Sequence, residues 1–88
     1  RMMIETAVKV DGMMCGMCES HVNEAVRKAF PEVKKVASSH TKGQTVIQSE
    51  QALDEAKLRD AIDATGYEVK GISSKPYEKK GFFSFLKK

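Results

Sequence analysis

The sequence predicts an α+β sandwich in which a four-stranded antiparallel sheet carries two helices on one face. Three observations predict this fold class. The chain has 88 residues, the size of one small domain. Alternating and helical hydrophobic patterns follow one another in the order β-α-β-β-α-β. The two halves of this pattern are similar and are joined by a predicted hairpin, so both can contribute to one sheet and one core.

The first half of the chain predicts one strand followed by one helix. Residues 4–10 place a threonine and apolar side chains on alternate positions, which is typical of a half-buried strand. Asp11 and Gly12 end this strand, and a loop follows. Apolar residues then recur at helical spacing over residues 19–30, and Pro31 ends the predicted helix.

The middle of the chain predicts two strands joined by a tight turn. Residues 33–40 and 45–49 have strand-like patterns. Residues 41–44 lie between them and contain Gly43, which can adopt the positive φ that hairpin turns require. The three segments together predict an antiparallel hairpin.

The second half of the chain repeats the helix and the strand. Asp54 is a typical N-cap residue, and Leu58 and Ile62 belong to the apolar stripe of the helix that follows. Gly66 ends this helix, and residues 67–72 predict the last strand. The complete order is that of the split βαβ, or ferredoxin-like, arrangement.

Charge is distributed unevenly along the chain. Residues 75–88 contain five lysines and one glutamate, which gives this segment a net charge of +4. Because the whole chain has a net charge of +3, the body of the chain, residues 1–74, has a net charge of −1. We therefore predict a domain over residues 1–73 and a basic aromatic tail over residues 74–88. The nearly neutral body argues against nucleic acid as a partner. The tail's phenylalanines between lysines are typical of an interfacial segment, which would make a weak membrane-surface contact. A disordered terminus, or a segment that folds back on the body, is the simpler interpretation.

The chemistry-bearing feature of the chain is the Cys-x-x-Cys pair of Cys15 and Cys18. Cysteines this close constrain little chain as a disulfide, so metal binding or redox chemistry is favoured. Backbone N–H groups at the helix start are expected to lower the thiol pKa, that of Cys18 especially. Because no second ligand pair is present for a tetrahedral zinc site, two soft thiolates favour Cu(I), with Hg(II) as its toxic analogue.

The motif Gly12-Met13-x-Cys15-x-x-Cys18 between a strand and a helix resembles that of the heavy-metal-associated domain family. This family includes copper chaperones and the metal-binding domains of copper-transporting P-type ATPases, and the resemblance covers about residues 3–72. It implies a chaperone that binds Cu(I) and passes it by thiolate exchange to a copper-transporting P-type ATPase or a copper sensor. No enzymatic activity is expected, since no acid–base pair, phosphate loop or catalytic triad is present in the sequence.

The resemblance also implies roles for residues near the thiols. Tyr67 matches a tyrosine that shields the metal in bacterial copper chaperones. Met14 stands where members selective for zinc or cadmium tend to carry an acidic residue, which favours monovalent copper. We interpret Met13 as a hydrophobic plug that anchors the loop, with a thioether ligand as the alternative. Exposed Met14 and Met17 would suit a docking rim for a partner.

Alternatives to this interpretation stay open. His21 lies one helical turn after Cys18 and could be a third metal ligand. A third ligand would widen the choice of metal towards Zn(II). The simpler interpretation is a histidine that faces solvent on the helix. His40 is predicted to be a surface residue. A thioredoxin-like dithiol oxidoreductase is the rival interpretation of the cysteine pair.

Location and oligomeric state are expectations of the same kind. The N-terminus has no apolar signal-peptide core, so a cytoplasmic location is expected. We expect a monomer, with a metal-bridged dimer as the alternative, because exposed thiols of two molecules can share one copper ion.

Overall fold

The fold is an α+β sandwich, as predicted. A computed structural model describes residues 2–78 of the chain, and within this range the elements follow the ferredoxin-like order β-α-β-β-α-β. The elements are β1 (Met2–Asp11), α1 (Gly16–Ala29), β2 (Lys35–Ser39), β3 (Gln44–Ser49), α2 (Glu55–Asp63) and β4 (Glu68–Glu78).

The strands form one antiparallel sheet in the order β2-β3-β1-β4. β1 lies inside the sheet, between β3 and β4. The turn between β2 and β3 contains Gly43, which has a φ of 62° and accepts a 2.9 Å hydrogen bond from the backbone N–H of Val10. This bond ties the hairpin to the end of β1, next to the loop that leads to the cysteines.

The hydrophobic core lies between the sheet and the two helices. Along β3, half-buried and buried residues alternate, so one face of the strand is turned to the helices. Each fully buried aliphatic side chain contributes about 1.5–3 kcal/mol relative to an exposed one, so this cluster stabilises the sandwich. Its fully buried aliphatic members are Val8, Val22, Val26, Ile47, Leu58 and Ile62.

α2 begins and ends where the sequence predicts, whereas α1 begins earlier than predicted. α1 begins at Gly16, three residues before the predicted start, so Cys18 lies inside its first turn. No typical cap residue marks this start, because Cys15 occupies the N-cap position. α2 begins directly after Asp54, and Gly66 follows it with a φ of 100°, both as predicted.

The two edge strands differ in length from the prediction. β2 is shorter at both ends, whereas β4 is longer and runs to Glu78. Residues 73–76 therefore belong to the sheet. They pair with β1, where the hydroxyls of Thr6 and Ser74 lie 3.5 Å apart. Pro76 is tolerated because an edge strand leaves one side of its backbone unpaired.

The division into a domain over residues 1–73 and a tail over residues 74–88 stays a prediction. Residues 79–88, which contain the aromatic part of the tail, lie outside the described residues, and so does the predicted membrane-surface contact. In the described part of the chain, no helix combines the length and the apolar character needed to cross a bilayer.

Candidate metal site

Two thiol groups lie side by side at the start of α1. Cys15 occupies the N-cap position with an extended backbone, and Cys18 lies in the first helical turn. Their Sγ atoms are 3.7 Å apart, and both cysteines are free thiols. Cys15 is exposed and Cys18 is half-buried. Two sulfur atoms are therefore available together at the surface of the molecule.

The environment of Cys18 favours its thiolate. The Tyr67 hydroxyl has the largest effect, and together with the backbone N–H groups of Met14 and Cys15 it lowers the pKa of Cys18 from 9.0 to about 7. The same hydrogen bond raises the pKa of Tyr67, because its hydroxyl donates to the sulfur. A large fraction of Cys18 is thus thiolate at neutral pH, which is the form that binds metals.

The direction of this shift agrees with the sequence analysis, but the main cause is different. Backbone N–H groups at the helix start were the expected cause of the lowered pKa of Cys18, whereas a side chain from the other half of the chain has the largest effect. Tyr67 was singled out only through the family resemblance. No local sequence signal indicates that its hydroxyl reaches Cys18.

Two glycines allow Tyr67 to approach the cysteine loop. Gly66 has a φ of 100° and precedes Tyr67 directly, at the end of α2. Gly12 has a φ of 108°, and a Cβ atom at this position would lie 3.1 Å from Cδ1 of Tyr67. An alanine at Gly12 would therefore strain the backbone and press on the tyrosine ring.

The three methionines of the motif segment have different environments. Met13 is 5% exposed and belongs to the core cluster, as the plug interpretation predicts. Met14 and Met17 are 77% and 68% exposed, and they are the exposed large hydrophobic residues of the described chain. The loop is therefore anchored by one methionine, while Met14 and Met17, which are next to the cysteines in sequence, are exposed to solvent.

His21 is exposed on α1 and lines a groove between the two helices. Among the residues that the structure describes, no three His, Cys, Asp or Glu side chains are grouped so that they could hold a metal ion. His21 is therefore not brought together with the two cysteines. Its role as a third ligand stays a prediction without geometric support.

A contact between Glu19 and His40 joins α1 to the turn between β2 and β3, and the sequence did not indicate it. Oε2 of Glu19 accepts a 2.8 Å hydrogen bond from the backbone N–H of His40 and lies 2.7 Å from its Nδ1. The contact lowers the pKa of Glu19 through hydrogen bonds to the ring and to the backbone of His40. His40 is thus a partly exposed residue with a specific partner. The two residues are far apart in sequence, so no local pattern indicates their contact.

This fold and this pair of thiols define a small metal-binding domain. The sequence model of the heavy-metal-associated domain matches residues 7–68. The chain belongs to the heavy-metal-associated domain family. The resemblance stated from the Cys-x-x-Cys motif is confirmed.

Solved structures agree with this assignment. The chain is 29% identical to a CopZ metallochaperone, with a TM-score of 0.66, covering 74% of this chain and 97% of that one. It is 25% identical to the N-terminal domain of ZntA in the Zn(II) form, with a TM-score of 0.67, covering 76% and 89%. A copper-binding domain from HMA7, a P-type ATPase, shares the fold at 18% identity and a TM-score of 0.64, covering 88% and 97%. Both copper-binding and zinc-binding proteins are therefore among its structural relatives.

Proposed function

We propose that this protein is a cytoplasmic Cu(I) chaperone that binds one ion between Cys15 and Cys18 and passes it to a partner by exchange of thiolate ligands. The observation that carries the proposal is a pair of free sulfurs 3.7 Å apart at the surface, one of them in a site that favours thiolate. No bond of a substrate is made or broken in this function, because the metal ion itself is the cargo.

The number of ligands favours copper over zinc. A structural zinc site requires four protein ligands, and a catalytic zinc site requires three. No group of three such side chains occurs in residues 2–78. Soft thiolates select Cu(I), which accepts fewer ligands than zinc. The residue before Cys15 is Met14, which has no carboxylate oxygen to offer a metal ion. This also favours copper over zinc.

The distance between the sulfurs supports transfer to a partner. With metal–sulfur bonds of about 2.3 Å, two sulfurs lie ~4.6 Å apart around a linear ion, ~4.0 Å apart in a trigonal site and ~3.8 Å apart in a tetrahedral one. The separation of 3.7 Å is shorter than the linear value and closest to the tetrahedral one, so the pair leaves room for further ligands around the ion. A third thiolate from a partner would therefore fit the cysteine pair with little movement.

Exposed methionines support contact with a partner protein. Met14 and Met17 directly precede the two cysteines in sequence and present flexible, polarizable side chains to solvent. A partner whose sulfur ligands reach Cys15 would approach the segment that carries these side chains. We expect the partner to be a copper-transporting P-type ATPase or a copper sensor, and the protein to be a monomer when no metal bridges two copies.

Metal competition tests the proposal. Reduced protein is titrated with Cu(I) and Zn(II) against chromophoric chelators of each ion, alongside Cys15→Ser, Cys18→Ser and the exposed control Ser20→Ala. We expect one tightly bound Cu(I) per chain, lost in both cysteine variants and kept in the control. A reduced wild type that stays empty, or that prefers Zn(II) when both ions are limiting, would contradict the assignment.

A zinc carrier is the second candidate. The observation that favours it is the 25% identity to the N-terminal domain of ZntA, whose structure is known in the Zn(II) form. Zinc would need further ligands, and His21 is the candidate predicted from sequence. Loss of Zn(II) binding in His21→Ala with Cu(I) binding unchanged would favour zinc.

Turnover in an insulin-reduction assay would instead favour the dithiol oxidoreductase.

A further inference from the structure

The first turn of α1 carries both thiols but is weakly held by its own sequence. The Cys15 side chain makes no capping hydrogen bond to the helix that follows it. Gly16 follows it, and nothing lies within 4 Å of the position that a Cβ atom would occupy there. Glycine is also a poor helix former. The backbone N–H of Glu19 donates a 3.2 Å hydrogen bond to the carbonyl of Cys15, but the start of this turn has no capping side chain and no strong helix former.

Glu19 provides a long-range contact from the same turn. Its Oε2 receives the backbone N–H of His40 and lies beside the ring Nδ1 of the same residue, at 2.8 and 2.7 Å. His40 lies in the turn between β2 and β3. The two side chains are 27% and 38% exposed, so they are partly shielded from water. One carboxylate oxygen thus connects the thiol-bearing turn to the hairpin.

A second contact joins α1 to β2 one helical turn further along. The Ser38 hydroxyl donates a 2.7 Å hydrogen bond to Oδ1 of Asn23. Glu19 and Asn23 are four residues apart and lie on one face of α1. Ser38 and His40 are two residues apart and can face the same side of the sheet. Of these two contacts, the one made by Glu19 starts within the first turn.

We propose that Glu19 is a positioning residue for metal binding, which holds the first turn of α1 against the β2–β3 turn through His40 and so keeps the Cys18 thiol beside Cys15. This inference rests on the proposed metal-binding function of the two thiols. A turn that is fixed before the ion arrives loses less conformational freedom on binding. Residues that orient a metal ligand typically contribute 10–100-fold to affinity.

Glu19→Ala and Glu19→Gln form the test pair, because both remove the charge while glutamine keeps an oxygen that can accept the His40 N–H. We expect Glu19→Ala to bind Cu(I) about tenfold more weakly than Glu19→Gln in competition with a chromophoric chelator. Asn23→Ala is the matched control. It breaks the neighbouring contact outside the first turn and is expected to keep the wild-type affinity.

A second readout needs no metal. In a Cys15→Ala background, which removes the second thiol without adding a cap, the alkylation rate of Cys18 against pH reports how the thiol is held. If the turn moves, Cys18 leaves the Tyr67 hydroxyl, and the midpoint of the profile is expected to lie higher in Glu19→Ala than in Glu19→Gln. A purely structural role would lower the stability of Glu19→Ala and Asn23→Ala alike without moving this midpoint.

Equal affinities and equal midpoints for the alanine and glutamine variants would overturn the proposal. If Glu19→Ala does not fold, His40→Ala replaces it, because this change removes the ring contact and leaves the backbone N–H. It is expected to shift both readouts in the same direction by less, and no shift would overturn the proposal. A wild type that fails to bind Cu(I) would contradict the proposed function instead. The alkylation profiles would still test whether Glu19 positions the Cys18 thiol.

Discussion

The two helices begin at equivalent points of two similar units, yet their first turns are held in different ways. Asp54 caps α2 by accepting hydrogen bonds from the backbone N–H groups of Ala56 and Lys57, at 3.0 and 3.3 Å. Cys15 occupies the same position in α1 and makes no such bond. A capping side chain directs its acceptor at the helix backbone. A metal ligand must instead keep its sulfur free.

This difference indicates how a binding site is built into a regular fold. α2 is stabilised by its own sequence, whereas α1 has a thiol at its cap position and depends on residues around it. Met13 precedes the cysteines and is buried in the core. Glu19 follows them and contacts the hairpin. The thiol-bearing turn is thus held from both sides by non-local contacts, which leaves the two sulfurs accessible.

The largest expected effect concerns the residue that anchors the loop before α1. Met13→Ala removes a buried side chain from the core, so we expect the free energy of unfolding to fall by about 2–5 kcal/mol. Chemical denaturation of reduced, metal-free protein measures it. Met14→Ala is the control, because this exposed neighbour should change stability by less than about 0.5 kcal/mol. Equal effects of the two changes would refute the anchoring role of Met13.

The next effect concerns the capped helix. Asp54→Ala leaves two backbone N–H groups without their acceptor and is expected to destabilise the protein by about 1 kcal/mol. Cys15→Ala is the equivalent change in α1 and removes no cap bond, so we expect it to change the stability of the metal-free protein by less than about 0.5 kcal/mol. If both alanine variants lost the same stability, the contrast between the two helices would be wrong.

A smaller gain in stability is expected when the missing cap is restored. Cys15 has an extended backbone with a φ of −158°, which suits an N-cap residue. Cys15→Ser supplies a hydroxyl that can accept a helix N–H, so the metal-free variant should be about 0.5 kcal/mol more stable than Cys15→Ala. Thermal unfolding of the two variants measures the gain, and a serine variant less stable than the alanine variant would speak against it.

The smallest effect concerns the Tyr67 hydroxyl. Tyr67→Phe keeps the ring beside Gly12 but removes the hydrogen bond to Cys18, so the pKa of Cys18 should rise above about 7. The alkylation rate of Cys18 against pH, in a Cys15→Ala background, measures this rise. An unchanged midpoint would mean that the backbone N–H groups are sufficient.

The same shift predicts how stability depends on pH. The pKa of Cys18 is lowered in the folded state from 9.0 to about 7. Ionised Cys18 therefore stabilises the folded protein fully above pH 9.0, and this contribution is lost as pH falls to about 7. Between these values, the stability advantage of the metal-free wild type over Tyr67→Phe should shrink as pH decreases. A constant difference across this window would contradict the assignment of the shift to Tyr67.

Local patterns predicted most of the fold, because the alternation along β1 and the apolar stripe of α2 report directly which faces are buried. These patterns failed where the end of an element is held by contacts between residues that are far apart in the sequence. The start of α1 has no cap residue, so the pattern placed it three residues late. The end of β4 depends on pairing with the first residues of β1, which the polar composition of residues 73–76 does not indicate.

The candidate site was predicted in part. Spacing predicted that Cys15 and Cys18 lie together at a helix start, where the structure places their sulfurs 3.7 Å apart, while their role as metal ligands stays a prediction. The contact of Glu19 with His40 could not be predicted, because it links residues 21 positions apart through one carboxylate oxygen. Contacts of this kind arise only when the sheet order brings the hairpin beside α1.

In the proposed site, the start of α1 offers two sulfur ligands to one soft ion, and no other side chain of residues 2–78 is grouped with them as a ligand. X-ray absorption at the copper edge of protein loaded with one Cu(I) per chain measures this ligand set. We predict a first shell of sulfur atoms alone, two per copper from the protein, unchanged in His21→Ala. A nitrogen neighbour that disappears in His21→Ala, or a shell without two sulfurs, would contradict the account.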